Sequence, residues 1–204
     1  MDYYPPMSNL RTSITHPLQI AELNAPGGGL VGITFCPGKC QQFAATGAWQ
    51  RDLGLDLRAI SDWGAGVLVT LVTSAELTEL RVEGLGRAAE EAGLTWLHLP
   101  ITDVSTPTPE WERAWASERG IVHAELDRGG RVVVHCKGGL GRAGTIVARI
   151  LVERGMAPPD AIAVVRSARP GAIETSGQER YVQALASLEG PAAAVEATNG
   201  STGA

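Results

Sequence analysis

The stretch that most constrains this chain is Arg131-Val132-Val133-Val134-His135-Cys136-Lys137-Gly138-Gly139-Leu140-Gly141-Arg142-Ala143. Its three consecutive valines are β-branched and apolar, the pattern of a strand covered on both faces. Glycines at 138, 139 and 141 then interrupt regular structure, and Gly144 to Leu151 reads as a helix. A buried strand that passes through a glycine loop into a helix belongs to a layered α/β arrangement, with the loop at the strand's carboxyl end.

Such a loop has the parts needed to hold a dianion. Glycines let successive backbone N–H groups converge on one point, and a helix starting near Arg142 adds the positive end of its dipole. The Arg142 guanidinium supplies a two-pronged donor for two oxygens of a phosphoryl group. Cys136 sits where converging N–H groups, a helix N-terminus and an arginine all favour the thiolate, the form that attacks phosphorus. A nucleotide-binding P-loop is excluded, because its closing Gly-Lys-Ser/Thr is missing.

A cysteine followed after five residues by arginine resembles the signature of the cysteine-dependent protein tyrosine and dual-specificity phosphatases. The variant from His135 to Arg142 is similar to the cyclin-dependent-kinase-associated phosphatase (cyclin-dependent kinase inhibitor 3) type. Three further stretches carry the same resemblance: Gly32 to Lys39, Arg51-Asp52-Leu53 leading into Asp56-Leu57, and Arg169 to Thr175. Together they cover roughly residues 18 to 188. A rhodanese-type sulfurtransferase carries its arginine one position nearer the cysteine. Low-molecular-weight phosphatases carry the motif near the N-terminus, whereas Cys136 comes late.

The resemblance implies a phosphomonoester hydrolase that works through a phosphocysteine intermediate, without metal or cofactor. Cys136 is then the nucleophile. Lys137, Gly138, Gly139, Leu140 and Gly141, with Arg142, hold the phosphoryl group, and His135 orders the loop from behind. Expulsion of an alkoxide or phenoxide needs a proton donor on an upstream loop. Asp103, in Leu99-Pro100-Ile101-Thr102-Asp103-Val104-Ser105-Thr106-Pro107, is the candidate, at a distance before Cys136 that resembles the family's placement. Asp62, before Trp63-Gly64, and Asp127, in a turn, are poorer candidates. Gln178 resembles the glutamine that places the attacking water in some branches; as a first-turn helix residue it is equally a capping partner for Thr175.

One position departs from the pattern. A serine or threonine usually follows the arginine and helps the thiolate leave; here it is Ala143, with Thr145 two residues later. The substrate expected is a phosphorylated protein or another phosphomonoester. Lys137 leaves open a phosphoinositide or inositol phosphatase, and Ala143 a phosphate-recognising binding module with poor turnover.

Composition fits one domain with a sizeable core: 204 residues, 44% hydrophobic and 19% charged. The net charge of −5 gives no reason to expect nucleic-acid binding. There is no apolar run of the ~18 residues that membrane insertion needs, and Met1 to Pro6 lacks the parts of a signal peptide, so a cytoplasmic location is expected. Cys36 and Cys40 lack the companions of a zinc site. They are expected to pack structurally, or to form a reversible disulfide with Cys136 under oxidation. Nothing in the sequence indicates an oligomeric state.

The expected organisation is a mobile segment over 1–17, one phosphatase-like domain over 18–189 and a disordered tail over 190–204. Within the domain, Leu18 to Leu23 and Leu30 to Phe35 read as an N-terminal β-hairpin around Asn24-Ala25-Pro26-Gly27-Gly28-Gly29. Trp49 to Trp63 reads as helix, Val67 to Val72 as strand, and Glu76 to Ala92 as one or two helical pieces. Thr95 to Leu99 is a strand and Pro109 to Leu126 a helix with proline in its first turn. Helices over Ala143 to Arg154, Pro159 to Ala168 and Ser176 to Leu188 follow the loop strand. The fold class is α/β, a mainly parallel central sheet flanked by helices and similar to the protein tyrosine phosphatases.

Overall fold

The computed structural model describes residues 10–44 and 47–188. A five-stranded sheet runs in the order β1 (Ala21–Asn24), β2 (Leu30–Phe35), β7 (Arg131–Cys136), β5 (Ala65–Thr70), β6 (Thr95–His98). Only β1 is antiparallel, paired with β2 as the expected hairpin. The other neighbours are parallel. A separate two-stranded ribbon joins β3 (Cys40–Gln41) to β4 (Trp49–Gln50).

The sheet is buried on both sides because the period-two alternation of its strands feeds two cores. Val132 and Val134 of β7, with Val67 and Val69 of β5, face a cluster built with α4 (Pro109–Asp127), α5 (Gly141–Glu153), α6 (Pro158–Ala168) and α7 (Ser176–Leu188). Val133 and Leu68 face the opposite cluster, closed by α1 (Leu53–Asp62), α2 (Ser74–Glu79) and α3 (Leu85–Glu91). Every residue of α5 from Gly141 to Val152 is buried, Arg142, Thr145 and Arg149 included.

One stretch differs from the sequence expectation. The helix expected from Trp49 begins at Leu53, where the Asp52 carboxylate caps it by accepting from the Leu55 N–H at 2.7 Å. Trp49 instead packs its ring 5.3 Å from Phe35 and lies in β4. Glu76 to Ala92 forms two helices, α2 and α3, separated where Arg81 takes a φ of 58°.

Residues 11–16, counted with the mobile head in the sequence reading, are tied to the domain. Arg11 exchanges backbone hydrogen bonds with Ala48 and Gln50, and Arg51 donates to the His16 carbonyl at 2.7 Å. Arg51 is in turn held by Asp56 through two bonds of 2.7 and 2.8 Å, with both side chains buried. Residues 1–9 and the tail over 190–204 lie outside the described residues.

Candidate active site

Parallel strands end together, so their carboxyl-end loops form one rim. β7 is central, and Cys136 is its last residue. The loop after β2 brings Lys39, that after β5 leads to Glu76 on α2, and that after β6 carries Asp103. The turn between α6 and α7 brings Glu174, and Gln178 follows in α7. Cys136 is 3% exposed.

The 137–140 loop is shaped from outside. Its carbonyls are drawn outward: Lys39 Nζ donates to the Lys137 carbonyl at 3.2 Å, Arg169 Nε to that of Gly139 at 3.0 Å, and Arg169 Nη2 to that of Gly138 at 3.4 Å. In a trans peptide the next N–H points the opposite way, so the amides of Gly138, Gly139 and Leu140 turn inward. No acceptor for the N–H groups of Lys137 to Leu140 occurs among the described residues. Gly139 is required on two counts: its φ is +67°, and a Cβ would stand 2.5 Å from the Thr34 backbone.

Arg142, 1% exposed, is clamped by Glu76. Nη1 donates to Oε2 and Nη2 to Oε1, each at 2.8 Å, and Nη1 also donates to the Ile101 carbonyl at 2.9 Å. Burial raises the Glu76 carboxyl, but bonds from Arg142 and Thr73 outweigh it and hold Glu76 below the usual carboxylate range. Asp103 lies against the same guanidinium, its Oδ1 2.8 Å from Nη2, with the carboxylate 59% exposed. Arg142 Nε is buried with no hydrogen-bond partner.

The other expected residues fall as follows. His135 is fully buried, with Nε2 2.7 Å from the Thr70 hydroxyl, which also accepts from Trp96 Nε1 at 2.8 Å. Burial pushes the imidazole down to about 3, against a smaller upward pull from the Cys136 backbone, so the ring is neutral and adds no positive charge. Gln178 is fully buried and forms a reciprocal cap with Thr175, its Oε1 accepting from the Thr175 N–H while its own N–H reaches Thr175 Oγ1. Its Nε2 donates to the Ser105 carbonyl at 3.3 Å, linking α7 to the Asp103 loop. Lys137 Nζ pairs with Glu79 at 2.8 Å. Thr145 Oγ1 donates to the Gly141 carbonyl at 2.7 Å, so its proton is committed within the helix.

Two carboxylates escaped the sequence reading. Glu76 looked like an ordinary helix residue, and only its Thr73-x-x-Glu76 capping spacing was visible. Glu174 accepts from the Gly141 N–H at 2.8 Å, at the first residue of α5. It is aimed there by Ile173, a β-branched residue at φ 57°, whose carbonyl is held by Arg166 at 3.0 Å. A Cβ at position 141 would stand 2.4 Å from that carboxylate.

All three cysteines are free thiols. Burial pushes the Cys36 thiol up, which keeps it protonated. Among the described residues no group of three or more His, Cys, Asp or Glu is placed to hold a metal, and no helix is long and apolar enough to cross a membrane.

A buried cysteine at the end of a central parallel strand, an inward-facing amide loop and a clamped arginine decide the family. The family described as "Tc-R-P: Polymorphic toxin system, DSP-PTPase phosphatase" matches residues 48–156. The chain belongs to this family. It is 39% identical over 96 residues to the mouse protein tyrosine phosphatase type IVA 3, covering 46% of this chain and 53% of that one. It is 28% identical over 136 residues to the rat cyclin-dependent kinase inhibitor 3, covering 65% of this chain and 63% of the relative. The chain thus spans about half the length of the first relative and under two thirds of the second. Among solved structures, the kinase-associated phosphatase with its catalytic cysteine replaced by serine superimposes with a TM-score of 0.74 at 24% identity, over 84% of this chain and 96% of that one. The active form of Tk-PTP superimposes with a TM-score of 0.57 at 29% identity, over 80% and 93%.

Proposed function

We propose that this chain hydrolyses phosphomonoesters, of phosphorylated proteins in the first instance, through a phosphocysteine intermediate. The observation that carries the proposal is Asp103 standing 2.8 Å from Arg142 beside the Cys136 loop. Arg142 has its Nη1 donors spent on Glu76 and Ile101, and Nη2 faces Glu76 and Asp103. The two-pronged donor left for a phosphoryl group is Nε with Nη2, so an incoming phosphate displaces Asp103 from Nη2 and frees it to act on the leaving oxygen. The phosphate likewise takes the Gly141 N–H from Glu174.

In the first step Cys136 Sγ attacks phosphorus, the S–P bond forms, and the P–O bond breaks as Asp103, which takes up a proton from solvent once released from Arg142, passes that proton to the leaving oxygen. Charge on the equatorial oxygens is held by the loop amides and Arg142. In the second step water attacks phosphorus, its proton passes to the Asp103 carboxylate, and the thiolate departs. Gln178 supports this step indirectly, since both its amide atoms are engaged in capping and in holding the Ser105 carbonyl.

The test is turnover of para-nitrophenyl phosphate. Wild type is expected to hydrolyse it, orthovanadate to block the reaction and EDTA to leave it unchanged; Cys136→Ser is expected to lose essentially all turnover because a serine hydroxyl stays protonated. Ordinary activity in Cys136→Ser refutes the mechanism. The binding-module reading is favoured by Ala143, which brings no hydroxyl directly after Arg142, together with Thr145, whose hydroxyl is committed to the Gly141 carbonyl. The phosphoinositide reading requires Lys137 to leave Glu79. A panel of phosphopeptides, phosphoinositides and small esters separates these substrates. A cytoplasmic location is part of the proposal and is tested by fractionation.

A further inference from the structure

Lys39 is 5% exposed, unusual for a lysine, and no carboxylate is paired with it among the described residues. Its ammonium lies 5.1 Å from the Phe35 ring centre and 4.8 Å from that of Trp49, and it donates to the Lys137 carbonyl at 3.2 Å. That carbonyl, immediately after the nucleophile, also accepts from the Cys36 N–H at 3.4 Å. Cys36 and Cys136 are both within electrostatic reach of the ammonium. The side chain is therefore a desolvated cation behind the loop, fixed by two rings and one carbonyl.

We propose that Lys39 is a positioning residue of the reaction, pinning the Lys137 carbonyl outward so that the Gly138 N–H faces the phosphoryl group while its charge supports the Cys136 thiolate from behind. The planar peptide supplies the geometry: with the carbonyl drawn to Lys39, the amide of the same unit points to the other side. Since His135 is neutral, it adds no charge to that of Lys39 at the Lys137 carbonyl. This role rests on the phosphatase reading above.

The surroundings of Lys39 define its response to pH. Arg51 and Lys137 oppose its charge, and Cys136 favours it. Asp56 approaches through its bond to the Gly38 N–H, Glu76 lies within electrostatic reach of Cys36, and Arg11 and His16 pack against the Trp49 ring. Burial, the largest effect, pushes the ammonium down to about 8. Its charge is thus lost as pH rises through about 8, and anion binding weakens in that direction.

The experiment compares wild type with Lys39→Met, Lys39→Gln and Lys39→Arg. Glutamine retains an N–H donor without charge, and arginine retains charge that does not titrate in this range. Three readouts are taken: orthovanadate affinity across pH 6.5 to about 9.5, the rate of Cys136 alkylation by iodoacetamide at pH 7 followed on its own peptide, and thermal unfolding. Lys39→Met is expected to weaken orthovanadate and slow alkylation, each by about tenfold. Lys39→Gln is expected to recover part of the affinity but little of the alkylation rate. Lys39→Arg is expected to bind orthovanadate with the alkaline loss removed. If Lys39→Met or Lys39→Gln melts earlier yet keeps wild-type affinity and alkylation, Lys39 only packs the β3–β4 ribbon and the proposal is overturned. Should Lys39→Met not fold, Lys39→Gln and Lys39→Arg still decide it. Alkylation does not depend on turnover, so an inactive wild type would refute the phosphatase reading without deciding the role of Lys39.

Discussion

Replacing Glu76 with glutamine probes the clamp on Arg142 with the least change of shape. Wild type makes two charge-assisted bonds of 2.8 Å between this carboxylate and the guanidinium, and Arg142 is 1% exposed while Glu76 is 12% exposed. Glutamine keeps one acceptor and turns an NH₂ group toward a guanidinium N–H. The loss is therefore at least one bond to a charged group, about 1.5–3 kcal/mol, plus part of the cost of a less compensated buried cation. Glu76 also accepts from the Thr73 N–H at 2.9 Å as the capping box of α2, so some of the loss falls on the helix. We expect urea unfolding to lose about 2–4 kcal/mol. A guanidinium that no longer holds its plane is expected to lower kcat/KM for para-nitrophenyl phosphate by about 10- to 100-fold.

The pH dependence gives an independent check. The folded pKa of Glu76 is below its usual value of 4.5, so its contribution is present above that value and is lost as pH falls through the lower folded value. The stability gap between wild type and Glu76→Gln is then full at pH 7 and shrinks below about 4.5. Thr73→Ala, alone and combined with Glu76→Gln, separates capping from the clamp. A Glu76→Gln variant with wild-type kcat/KM, or a gap that widens on acidification, refutes this account.

Asp103→Ala is expected to reduce hydrolysis of alkyl phosphates by ~10²–10⁴ but para-nitrophenyl phosphate far less, since protonation matters most for poor leaving groups; equal losses make Asp103 structural. Glu174→Gln removes the charge from the internal anion at Gly141 and is expected to tighten orthovanadate about fivefold, as the weaker neutral bond is displaced; weaker binding by titration calorimetry contradicts that competition. If loss of the hydroxyl at position 143 slows thiolate departure, wild type shows a rapid burst followed by a slow steady state, and Ala143→Ser raises the steady rate with a similar or smaller burst. Absence of a burst by stopped flow, with Ala143→Ser unchanged, removes the main reason for the capture reading.

How much of this site could be read in advance follows from how local each signal is. The loop from His135 to Arg142 is contiguous, so strand, glycines and helix announce it together, and the structure brings Asp103 to 2.8 Å from Arg142. Glu76, Glu174 and Lys39 reach the same rim from three other segments. Their roles depend on which strand ends lie side by side, and the order β2-β7-β5-β6 cannot be deduced from periodicity. Trp49 illustrates a further limit: an apolar residue before an amphipathic helix reads as its first turn, whereas packing on Phe35 holds it in a ribbon. Gln178 was legible only as an alternative. Its Thr175-x-x-Gln178 spacing is that of a cap, and the reciprocal bonds follow it.

The resting site satisfies its own charges, and this bears on how substrate is selected. Arg142 faces two carboxylates, Glu76 and Asp103, and the first amide of α5 faces a third, Glu174. A phosphate therefore gains the difference between its own bonds and those it displaces, rather than their full strength. Glu76 is half-buried and bonded on several sides, so it stays; Asp103 and Glu174 are exposed, so they yield. A monoanionic ligand with one oxygen in reach can replace one carboxylate at most. A phosphomonoester dianion, presenting three oxygens, can replace both and still reach the inward amides of Gly138 to Leu140. Displacement of Asp103 from Arg142 also frees the group that must protonate the leaving oxygen, so binding of the right ligand and assembly of the acid are one event. A simple carboxylate ligand is on this argument a weak inhibitor, and one that leaves either Asp103 or Glu174 in place.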